Sequence, residues 1–226
     1  MARGRRGRAA APVDEEADEG RLADDPSIAR AVGRDRVERF EERLRDAGRT
    51  FRRGRYDDAR RILRALAEQA PTAESVRELL GLTYYRLGRW RDARRELAAF
   101  HDLSGSVEQH PVLADVHRAL GQHSRVDELW AELRDVSPSA ELVAEGRIVA
   151  AGSLADRGRL SDAIALLERA RPPAKRPKEH HLRTTYALAD LYERAGDLPR
   201  ARALFATVAR HDPELGDVAR RIAALS

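Results

Sequence analysis

Glu179, His180 and His181 form the densest cluster of chemistry-bearing side chains in this sequence. Imidazole and carboxylate are zinc ligands, but adjacent residues on a helix point a quarter-turn or more apart, which makes the two histidines a poor metal pair. The cluster is expected in solvent, as are His101, His110 and His211. Asp57 and Asp58 resemble a carboxylate pair, yet the start of a helix is reason enough for two acids. No glycine-rich loop ends in Lys followed by Ser or Thr, and no serine occupies a G-x-S-x-G elbow. Without cysteine there is no disulfide framework, thiolate nucleophile or thiolate zinc site. These observations predict a non-catalytic protein with no cofactor.

Guanidinium chemistry recurs instead. Arg52, Arg86 and Arg194 each stand two residues before a glycine and follow Phe51, Tyr85 and Glu193; Arg118 lies one residue earlier in the same register. A row of guanidinium groups beside aromatic faces would receive acidic side chains through charge-assisted bonds and cation–π contacts. The alternative is an ordinary helix end, where Arg is favoured by the macrodipole. Asp156 occupies the equivalent place before Gly158 and interrupts any uniform basic strip, while Arg45, Tyr186 and Asp190 would complete a mixed floor.

The elements that must position these residues are repeats. RRGRYDDARRIL at 52–63 returns as RLGRWRDARREL at 86–97, then as DRGRLSDAIALL at 156–167 and RAGDLPRARALF at 194–205. Each has Gly, a large residue two on, Ala three later and an apolar residue four beyond: Gly54, Tyr56, Ala59, Leu63 in the first. A degenerate copy holds Gly121, Val126 and Trp130, with His123 in the large position. Glycine ends one helix in the left-handed conformation, the large residue covers the turn, and alanine permits a close crossing. Stripes of facing residues precede the turns: Leu80, Gly81 and Tyr84; Leu113, Ala114 and His117; Ala150, Ala151 and Leu154; Leu188, Ala189 and Tyr192. Pro71, Pro138 and Pro213 are expected to start the next units as first helical residues. A lone hairpin cannot bury its apolar face, so neighbouring copies must stack.

These small, aromatic and proline positions resemble the tetratricopeptide repeats from about Phe40 to Pro213. Intervals between turn glycines are 34, 33, 37 and 38 residues, and Asp46 replaces the usual apolar residue in the first copy. The resemblance implies an all-α solenoid of about five helix-turn-helix repeats over 26–213. Val218, Ile222 and Leu225 share one face of a C-terminal capping helix within 214–226. It also implies a scaffold or adaptor that receives another protein in a concave groove lined by first helices. Relatives that grip the C-terminal carboxylates of heat-shock chaperones use Lys and Asn, and this chain has no Asn. Trp90 and Trp130 are expected to pack.

Composition adds limits. The chain has 226 residues, 42% hydrophobic and 35% charged, enough apolar side chains for a core, with 42 basic against 38 acidic residues leaving +4. Lysine occurs only at Lys175 and Lys178. Residues 1–25 carry Arg3, Arg5, Arg6 and Arg8, then Asp14, Glu15, Glu16, Asp18 and Glu19, which predicts a disordered charged tail. That tail and the loop around Lys175 support an alternative as an RNA-binding or RNA-associated protein. No apolar run has signal-peptide or membrane-spanning length, so the expected location is cytoplasmic.

Overall fold

The computed structural model describes residues 26–170 and 176–225. The tail at 1–25 and Lys175 lie outside the described residues. Within the described residues the secondary structure is α-helical: α1 Pro26–Val32, α2 Arg34–Arg52, α3 Tyr56–Gln69, α4 Glu74–Arg86, α5 Trp90–Ser104, α6 His110–Ala119, α7 His123–Val136, α8 Ala140–Asp156, α9 Leu160–Glu168, α10 Glu179–Arg194, α11 Leu198–His211 and α12 Val218–Ala224. The all-α class and the helix-turn-helix copies are as expected. The chain divides into two compact units, Met1–Leu120 and Gly121–Ser226, so the helices before and after the third turn fall in different units.

Most repeat residues do what their types require, but Leu198, in the large position of the fifth copy, is 47% exposed and does not cover its turn. Gly54 has φ +73° and Gly88 +68°, left-handed values that a Cβ would disfavour. Behind Gly54, the Arg55 N–H bonds the Thr50 carbonyl at 3.1 Å and the Gly54 N–H bonds that of Phe51 at 2.9 Å, a Schellman closure repeated at Gly88 by Arg89 and Tyr84. A Cβ on Gly81 would lie 2.7 Å from Leu97 Cγ, so α4 and α5 cross in near contact. Ala59, Ala93, Ala163 and Ala201 are all 0% exposed, and Val126 fills the same place in the third copy.

In the first unit, α2 packs on α3, α3 on α4, α4 on α5 and α5 on α6, while the first helices α2, α4 and α6 also touch in order. In the second, α7 packs on α8, α8 on α9 and α10, α9 on α10, α10 on α11, and α11 on α12. Polar ties between copies follow the sequence period. Gln109 Nε2 donates to Glu78 at 2.7 Å across 31 residues. Arg183 meets Glu145 at 2.7 Å and Arg194 meets Asp156 at 3.8 Å, both across 38 residues, the local glycine interval. Tyr186 bonds Asp217 across 31 residues, as Arg221 bonds Asp190, so α12 stands where the next first helix would be. Val218 is buried there, with Ile222 and Leu225 packed on the same core as Phe205.

Two expectations need correction. Pro71, Pro138 and Pro213 directly follow the C-caps Ala70, Ser137 and Asp212, and the next helices resume at Glu74, Ala140 and Val218. They terminate units, because proline has no N–H with which to continue the ladder. Near the start of the solenoid, Gly33, at φ +79°, separates α1 from α2, and Ile28 and Val32 are buried. Finally, His110 is not in solvent; it is 2% exposed, edge-on to His101 with ring centroids 4.8 Å apart.

Candidate functional site

The predicted site residues of the first unit gather where its first helices end. Phe51, at the end of α2, packs edge-on against Tyr56 at the start of α3, with centroids 5.3 Å apart and planes at 64°. Tyr85 and Trp90 repeat the arrangement one copy later at 5.6 Å and 63°. These aromatics therefore close their own hairpin turns as well as flanking the arginines. The Arg86 guanidinium lies 6.0 Å from the centre of the Tyr56 ring, joining the second copy to the first. The Tyr85 hydroxyl donates to Asp115 at 2.8 Å, and Arg118 reaches the other oxygen of Asp115 at 3.3 Å.

The outcome is a connected chain, Phe51 to Tyr56 to Arg86 and Tyr85 to Asp115 to Arg118, with Arg52 next to Phe51. All of the arginines in it are half-buried, so their apolar stems are packed while part of each side chain meets solvent. Burial first, and then the Asp115 carboxylate, push the Tyr85 phenol well above its ordinary value; it remains a neutral donor throughout the working pH range. Arg45, further back on α2, pairs loosely with Glu41 at 3.8 Å. Replacing Tyr85 by Phe removes one bond while Arg118 still serves Asp115. The expected loss is about 1 kcal/mol in urea unfolding, with helicity retained.

In the second unit the predicted residues are used internally. Tyr186, expected on a groove floor, is 9% exposed, stacked edge-on against Phe205 at 5.2 Å, and donates its hydroxyl to Asp217. Burial acts to raise the Asp217 pKa, but the Tyr186 bond and Arg220 outweigh it and hold that carboxyl low. Asp190 is bound by Arg221, which also meets Glu193 at 3.0 Å. Arg194 pairs with Asp156: the acid that interrupts the basic row neutralises its next member. Asp115 and Tyr56 join the predicted residues in this cluster, and sequence reasoning did not assign them. The signal for Asp115 was its distance from Tyr85, 30 residues, close to one repeat.

The rings of His180 and His181 also depart from expectation. They meet at the start of α10 with centroids 4.0 Å apart, and His180 is 8% exposed, not solvated. His211 is exposed as expected, and Trp90 and Trp130 are half-buried.

The tetratricopeptide repeat profile matches residues 51–100 and 154–225, more than half of the sequence. The chain belongs to the tetratricopeptide repeat family. No curated protein matches it. Among solved structures, a thermophilic tetratricopeptide repeat protein of Thermus thermophilus is similar, with TM-score 0.63 at 22% identity, covering 82% of this chain and 98% of the other. PilF of Pseudomonas aeruginosa has TM-score 0.57 at 16% identity, covering 83% of this chain and 82% of its own. At such identities the likeness is one of fold. Tetratricopeptide repeats are in general protein–protein interaction scaffolds and typically non-catalytic. Among the described residues no helix is long and apolar enough to cross a membrane.

Proposed function

We propose that this tetratricopeptide repeat protein is a non-catalytic adaptor, and that the first-helix ends of its first unit hold an acidic segment of another protein. The observation that supports this reading is the connected aromatic and guanidinium chain from Phe51 to Arg118, half-exposed on three successive first helices. Arg52, Arg86 and Arg118 supply directional donors for carboxylates; Phe51 and Tyr85 supply apolar edges for residues flanking the acids. Arg45 extends the surface along α2. Asp115 sets a limit on it, since an acid beside the Tyr85 hydroxyl would repel a carboxylate placed there. Arg118 is shared with Asp115 as Arg194 is with Asp156, and Asp190 is bound by Arg221, so each offers a partner only part of its capacity.

Capture from the native cell, with identification of what elutes at moderate salt, tests the proposal. Wild type is expected to hold protein and to lose it at least tenfold when Arg52, Arg86 and Arg118 are changed together to Glu, after helicity has been checked. Changing the exposed Arg91 and Arg202 to Glu should leave capture intact apart from a modest, salt-sensitive loss of steering. Nucleic acid in the eluate in place of protein, or equal damage from both sets of changes, would defeat the adaptor reading.

A further inference from the structure

The two histidines at the start of α10 hold a directed line of hydrogen bonds. The Lys178 backbone N–H donates to His181 Nδ1 at 3.0 Å, which requires that nitrogen to carry no proton. The proton of neutral His181 is therefore on Nε2, 3.1 Å from His180 Nε2, and is donated to it. His180 must then carry its own proton on Nδ1, which faces Glu141 Oε1 at 3.3 Å. Each tautomer is set by its neighbour, from the last residue before α10 across to the first turn of α8.

We propose that His181 is a proton-sensitive clasp at the start of α10, closed while its Nδ1 accepts the Lys178 N–H and opened when that nitrogen takes a proton. The line has no vacant acceptor. A proton on His181 Nδ1 faces the Lys178 N–H and removes the cap that this N3 side chain gives the helix. Glu141 faces His180 and not the Nδ1 of His181 that takes this proton. Its carboxyl is held low, chiefly by a bond from its own backbone N–H, and so stays ionised across the range concerned.

Among the described residues, most charges on the elements packed against α10 have partners of their own. From α8, Glu145 binds Arg183, which also lies 3.8 Å from Glu179. Lys178 is 3.6 Å from Glu141. From α9, Asp162 pairs with Arg159, and Glu168 accepts from Tyr192 near the other end of α10. From α11, Arg200 also reaches Tyr192, and Arg210 turns to Thr207. Arg221 of α12 meets Asp190 and Glu193. Burial, then the charges of His180 and Lys178, lower the His181 pKa against the opposing pull of Glu141. A folded-state value below the unfolded value of about 6.5 means that the unfolded chain binds the proton first. The clasp's stabilisation is complete above that pH and is lost as pH falls from there toward the lower folded value.

Hydrogen exchange on the full chain at pH 7.5 and 5.5, corrected for intrinsic rates, tests the clasp. Protection of the amides of Leu182 to Thr185 should fall about fivefold at the lower pH, the size expected for loss of a helix cap. Peptides from α4 serve as the internal reference. His181→Gln retains an N3 acceptor for the Lys178 N–H but does not titrate, so its protection should be the same at both pH values. Nitrogen shifts of the wild-type rings at pH 7.5 should show His181 Nδ1 unprotonated and His180 Nδ1 protonated. Equal wild-type protection at the two pH values, an equal acid loss in His181→Gln, or the opposite tautomers would overturn the proposal.

Discussion

Ala93→Arg should destabilise the first unit by more than about 3 kcal/mol. Ala93 is 0% exposed on α5, the helix that crosses α4 so closely that Gly81 leaves no space for a Cβ beside Leu97. Overpacking alone costs roughly 1–3 kcal/mol, and a guanidinium driven among apolar side chains adds a desolvation penalty. Against a total stability of about 5–15 kcal/mol for a domain, that loss moves the melting transition by many degrees. Arg91→Ala, on an exposed face of the same helix, should change stability by about 0.5 kcal/mol or less. If Ala93→Arg melts with wild type, the helix register that places alanine at the crossing is wrong.

Phe205→Ala is the corresponding expectation for the second unit. Its ring is 0% exposed, meets Tyr186 edge-on at 5.2 Å, and lies under the Arg221 guanidinium at 5.1 Å. It belongs to the cluster that joins α10, α11 and α12 through Ala189, Tyr192, Val208 and Val218. Truncating a buried phenylalanine costs about 3–5 kcal/mol, through lost transfer energy and the cavity left behind. Amide protection in α10 to α12 should fall accordingly. Leu198→Ala, at a position 47% exposed, is the comparison and should have little effect. A loss below about 1 kcal/mol for Phe205→Ala would mean that the cap is not anchored on this ring.

The repeat architecture was legible because each diagnostic residue has a local physical cause. Glycine must enter the left-handed turn, alanine must sit in the crossing, and in the first two copies the aromatic two residues after the glycine packs on the turn. The residues of the site were less legible, because their outcome depends on what the neighbouring copy presents. Arg52 and Arg194 occupy the same register, yet Arg194 meets Asp156, since equivalent positions in successive copies are neighbours. Tyr186 looked like a floor residue, but the cap places Asp217 against its hydroxyl, a contact that no periodicity announces. Likewise His180 and His181 were set apart by ideal helix geometry, whereas they sit at the first turn, where His181 bends back to the Lys178 N–H and brings the rings together.

The most direct test of the adaptor account is selection of random-sequence displayed peptides on the immobilised full chain. The account predicts enrichment of peptides with Asp or Glu flanked by apolar residues, loss of that enrichment with Arg52→Glu, Arg86→Glu and Arg118→Glu combined, and its persistence with Arg91→Glu and Arg202→Glu. Enrichment that lacks acidic residues, or that survives the triple change, would contradict it.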